Sequence, residues 1–234
     1  MSSSHEMPRA YVPVGEASVD ARATFITRTY NHLMGSIVLF TLIEVWLFTT
    51  GMAETIAVTM MSGSWLLILG GFMLVSWLAT RTAHKSESKP AQYAALFAVV
   101  AAYAVLFVPM LYIANSYADG TIESAALVTL LGFGGLTAVA FTTRKDFSFM
   151  GSALRFGGIM ALVAIVASVL FGFELGTWFS VAMVGFAGAA ILYDTSNVLH
   201  YYPEDRYVSA ALQLFASVAL MFWYVLRIFI GNRD

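Results

Sequence analysis

The chain has 234 residues, of which 59% are hydrophobic and 11% charged, with 12 Lys plus Arg against 14 Asp plus Glu. Soluble domains carry roughly 25% charged residues, so with a mean hydropathy of +0.78 this composition excludes a water-soluble globular enzyme and implies lipid-facing surface. A net charge of -2 gives no basic face for nucleic acid, and the lack of cysteine excludes disulfides, thiolate nucleophiles and Cys-ligated metals.

Residues 1–30 contain no apolar run of signal-peptide length and are predicted to form a polar, mobile tail ahead of a membrane domain at 31–231. Apolar segments follow at 32–50, 64–83, 91–114, 122–143, 151–172, 176–199 and 207–230, each long enough to cross a bilayer. Lipid offers no partner for backbone amides, so these segments are helices: the fold class is an all-α membrane protein of seven transmembrane helices. Arg9, Arg22 and Arg28 precede the first span; Arg81, Lys85 and Lys89 follow the second, Arg144 and Lys145 the fourth, and Arg206 the sixth. The intervening loops carry Glu54, Asp119 and Glu174 instead. By the positive-inside rule the N-terminus is cytoplasmic and the C-terminus outside, unless the seventh segment is re-entrant. The small-residue runs GFGGLTA at 132–138, FGGIMA at 156–161 and GFAGAA at 185–190 predict close packing among the fourth to sixth spans.

Ionisable residues at membrane depth are costly and mark candidate sites; here they are Glu44, Arg155, Asp194 and Arg227. Asp194 and Asn197 are one helical turn apart on the sixth span, with His200 beyond, a group suited to a proton-sensitive gate. Arg155 on the fifth span is expected at similar depth, which predicts an ion pair with Asp194; the alternative is that Arg155 snorkels to headgroups. Glu44 reads either as an ion ligand or proton carrier, with His200 also a candidate for the pathway, or as a group that is hydrated or hydrogen-bonded to Thr41. Arg227 is expected to snorkel outward. The four histidines form no paired metal motif, and neither a nucleophile elbow nor a phosphate-binding loop is present. Enzyme activity is the least favoured class, and no cofactor is expected beyond a possible calcium ion.

The segments RTYNHL at 28–33, FTTRKDFSFMG at 141–151, AILYDTSNVLH at 190–200 and LRIF at 226–229 together resemble the Bax inhibitor-1 family, most of all its bacterial YccA-like branch. The resemblance implies a bundle whose seventh helix is central and surrounded by the other six. Some members are pH-sensitive calcium leak channels in which an aspartate on the sixth helix shares a proton with one on the seventh. Asp194 matches the first; counting back from LRIF, the second position is Ser217, so this chain lacks half of that pair. Members of the YccA-like branch modulate the membrane-anchored AAA+ protease FtsH, which extracts substrates by a cytoplasmic tail. The resemblance therefore implies a protein of the bacterial inner membrane that binds this protease, its N-terminal tail as the handle, with a calcium or cation leak gated around Asp194 as the alternative.

Overall fold

The computed structural model describes residues 13–117 and 119–231. Among these residues eight α-helices follow one another: α1 (Val19–Thr49), α2 (Met52–Ser62), α3 (Trp65–Lys85), α4 (Lys89–Tyr117), α5 (Thr121–Thr143), α6 (Met150–Phe171), α7 (Gly176–His200) and α8 (Tyr207–Gly231). All except α2 are long and apolar enough to cross a membrane. The turns alternate between a basic end, with Lys85, Lys89, Arg144, Lys145 and Arg206, and an acidic end, with Glu54, Asp119 and Glu174.

The helix α8, seventh of the spanning helices, is the axis of the bundle and packs against α7, α1, α5, α4 and α3. Its sequence accounts for that position: small residues (Ala210, Ala211, Ala219) and branched ones (Leu212, Leu214, Val218) are buried along it, and a stripe including Leu220, Trp223 and Arg227 is half-buried. Its 25 residues rise about 37 Å at 1.5 Å each, enough for a full crossing rather than a re-entrant loop. By contrast α6 has no buried residue; its Phe156, Ile159 and Leu170 are exposed, and it touches mainly α7. The small-residue runs bring α7 against both α5 and α6, but α5 and α6 do not pack directly on one another. A β-carbon on Gly157 would sit 3.0 Å from the Phe186 ring of α7, whereas Gly134 and Gly135 face open space.

Two expectations need correction. The first helix begins at Val19, well inside the expected tail of residues 1–30. Ser18 caps it, its hydroxyl accepting the Ala21 N–H at 3.3 Å, and Asp20 in the first turn suits the helix dipole. Ahead of it, a short 3-10 turn at Val14–Glu16 is fastened to the bundle: Val14 is buried and its N–H donates to the Tyr202 carbonyl at 2.9 Å. Phe25, also buried, stacks on the Tyr202 ring at 6.3 Å. Residues 1–12, the rest of that tail, lie outside the described residues. The second correction is α2, an eleven-residue helix in what read as a loop. Gly51, at φ 75°, turns the chain into it, and Ala53 and Ala57 let it lie close on Leu47 and Val108. Eleven residues are too few to cross, so hydropathy gives no sign of it.

Candidate functional site

The two carboxylates buried among the described residues, Asp194 and Glu44, occupy two separate cavities. At the basic end, Asp194 of α7 is 2% exposed and accepts a hydrogen bond from Ser217 Oγ of α8 at 2.5 Å. Gln213, one turn earlier on α8, also reaches this carboxyl group. Asp194, Asn197, Tyr193 and Gln213 line a cavity of about 570 Å³, together with His84, Tyr201, Tyr202, Pro203 and Arg206 toward the helix ends. Ser209, Gln213 and Ser217 recur every fourth residue, so they share one face of α8. That spacing is the signal for Gln213; no motif marks Arg206, in the turn joining α7 to α8, or His84, which comes from the end of α3.

The turns around this cavity are tied together by polar contacts. Arg206 donates to the Ser86 carbonyl and pairs with Asp205 at 3.5 Å, while the fully buried Gln92 donates to the same Ser86 carbonyl at 2.9 Å. Lys89 donates to the Asp205 carbonyl. On the opposite rim the Phe147 N–H donates to Ser196 Oγ at 2.9 Å, and Asp146 accepts from the Tyr201 hydroxyl and from the Ser148 N–H at 2.8 Å. Those bonds, that of Tyr201 first, hold the Asp146 carboxyl below its usual range. The segments FTTRKDFSFMG and AILYDTSNVLH thus meet through Phe147 and Ser196: the turn after α5 docks on the end of α7.

The expected Arg155–Asp194 ion pair does not form. Arg155 is exposed on α6, and the Arg206–Asp205 contact is the one salt bridge among the described residues. A helix that touches the bundle mainly through α7 and buries nothing turns its arginine outward, where a long side chain can reach headgroups. Asn197 does join Asp194, but His200 does not: its Nδ1–H is engaged by the Ser196 carbonyl at 2.9 Å, and it is absent from the cavity wall. Arg227, near the end of α8, is half-buried.

Glu44 is at the other end. It is 7% exposed, and neither carboxylate oxygen has a hydrogen-bond partner among the described residues. Thr41, its expected partner, instead donates to the Ile37 carbonyl at 2.9 Å. Glu44 lines a cavity of about 500 Å³ between α1, α4, α5 and α8. This cavity and the one at Asp194 have no lining residue in common, so Glu44 and His200 do not lie along one visible path. No group of three His, Asp or Glu side chains suited to a metal ion occurs among the described residues.

Residues 22–234 match the family described as Inhibitor of apoptosis-promoting Bax1. The chain belongs to the Bax inhibitor-1 family. It is 28% identical over 216 residues to the Escherichia coli K12 protein named Modulator of FtsH protease YccA, covering 90% of this chain and 95% of that one. The same figures hold for a protein of Escherichia coli O6:H1 named Inner membrane protein YccA. An uncharacterised Pseudomonas aeruginosa protein is 35% identical over 122 residues, 51% of this chain and about half, 54%, of that relative's length. This is an integral membrane protein of that family, built as a seven-span helical bundle around α8.

Proposed function

We propose that this protein modulates a membrane-anchored AAA+ protease of the FtsH type, in a bacterial inner membrane, with its basic end in the cytoplasm. The observation that carries this reading is a likeness to the modulator YccA that runs almost end to end in both chains, rather than through one shared motif. The chemistry at Asp194 agrees. A proton-sharing switch needs two carboxylates in contact, and here the partner of Asp194 is a hydroxyl. Under the positive-inside rule, the N-terminal end of α1 is on the protease side, and a closely packed α8 resists extraction.

The test is co-purification of the full-length chain with FtsH from detergent-solubilised membranes. Binding should be lost when residues 1–12 are deleted. Failure to co-purify at all, or full retention after the deletion, overturns the reading of the tail as the handle; only the former counts against the protease as partner.

A calcium leak gated around Asp194 is the second reading, favoured by the cavity of about 570 Å³ at that residue. Calcium takes six to eight oxygen ligands, and Asp194 offers one carboxylate. Calcium flux into liposomes that changes its pH dependence on Asp194→Asn supports the leak; flux indistinguishable from empty liposomes rejects it.

A further inference from the structure

The cavity at Glu44 is not used by either reading of function, and its composition is unusual for an inert packing defect. One carboxylate is enclosed with neither oxygen partnered among the described residues, which carries a free-energy cost that a hydrogen bond or counter-charge would remove. The surrounding wall is phenyl-rich: Phe40 and Phe48 from α1, Phe215 and Phe222 from α8. Glu123, exposed in the first turn of α5, adds a second carboxylate at the rim. A cation over phenyl faces is held by the ring quadrupoles, more strongly when water is excluded.

We propose that this cavity binds a lipophilic organic cation that enters from the bilayer. A metal ion fits poorly, because a hard cation seeks six to eight oxygens and most of this wall is carbon. Anionic amphiphiles are opposed by the two carboxylates. A volume of about 500 Å³ falls within the range of small-molecule pockets. The entrance is lateral. Helices α1 and α5 meet through rings toward the basic end, Tyr30 lying 6.5 Å from Phe133 and 5.8 Å from Phe141. Toward the acidic end both helices line the cavity, and Thr41, Val45 and Leu130 at its edge are exposed. An amphiphile in the adjoining leaflet can therefore present its charge to Glu44 without crossing the bundle.

The experiment uses the purified full-length protein in detergent and radiolabelled tetraphenylphosphonium, with tetraphenylborate as a probe of matching shape and opposite charge. Saturable phosphonium binding is expected, with no competition by the borate. Glu44→Gln should weaken it about tenfold or more, as loss of a buried charge partner does. Ala126→Phe, which fills the cavity from the α5 wall and leaves Glu44 in place, should do the same, and it decides the matter if Glu44→Gln fails to fold. Asp194→Asn, in the other cavity, should leave the affinity within about twofold. Absence of saturable binding, equal competition by the borate, displacement by calcium alone, or unchanged affinity in both cavity variants overturns the proposal. Because neither variant touches residues 1–12, loss of phosphonium binding with intact FtsH co-purification, or the reverse, separates this site from the protease reading.

Discussion

Two carboxyl groups are buried in this bundle at similar exposure, yet their surroundings are opposite. Asp194 faces a polar stripe on the central helix and finds the Ser217 hydroxyl at 2.5 Å; Glu44 faces phenyl rings and finds no hydrogen-bond partner among the described residues. The lesson is that burial alone does not define a site's role. A satisfied buried group specifies how two helices fit together, whereas an unsatisfied one keeps its binding capacity unspent, and the proposal for the acidic-end cavity rests on that difference.

The strongest way to break the contrast is to make Asp194 resemble Glu44. Ser217→Ala strips the carboxyl of its hydroxyl partner, leaving it Gln213 alone, and should destabilise the protein by about 2–3 kcal/mol, read as the midpoint of unfolding in a denaturing-detergent titration. Removing the acid instead leaves only neutral groups, the Ser217 hydroxyl and the Gln213 amide, without that partner, so Asp194→Leu should cost less, about 1–2 kcal/mol. Glu44→Leu should have the opposite sign: it deletes an unpartnered polar group and is expected to be neutral or stabilising by up to about 2 kcal/mol. A large destabilisation in Glu44→Leu would show that Glu44 has a structural partner after all.

Smaller effects sharpen the same comparison. Arg155→Met should change stability by less than about 0.5 kcal/mol, and by the same amount whether Asp194 is intact or replaced by Asn, since exposed Arg155 is not its counter-ion. The smallest effect concerns Asp146. Its carboxyl, held below the usual range by Tyr201 and Ser148, adds stability that is present above the ordinary aspartate value of about 3.9 and fades as pH falls through the depressed folded value. Asp146→Asn should flatten that acid limb of the melting curve. An unchanged limb would mean that the docked turn contributes nothing to it.

The spans were legible because a continuous apolar run in lipid has only one way to satisfy its backbone, and the seven predicted segments reappear as α1 and α3 to α8. What escaped was structure that hydropathy does not encode. The first turns of α1 carry Asp20, Arg22 and Arg28 and read as tail, although Ser18 followed by Asp20 is a helix start written in capping chemistry rather than in apolar content. The site was half legible. Asp194 and Asn197 lie one turn apart on α7, so local spacing locates them, and the family resemblance alone locates Ser217 on α8; the pairing of Arg155 with Asp194 rests on depth alone. Depth does not fix rotation about a helix axis, and α6 turns Arg155 away. His84, Arg206 and the loneliness of Glu44 depend on which helices become neighbours, information that no single segment contains.

The strap formed by Val14 against Tyr202 has a mechanical corollary. Tyr202 and Pro203 rim the Asp194 cavity, and Pro13 bridges to Pro203, so tension applied upstream of residue 13 is delivered first to that turn rather than to α1. Any motor hauling on the leading residues would have to peel this fastening open before unwinding a single span, and the pocket mouth would be the first part of the bundle to register the load.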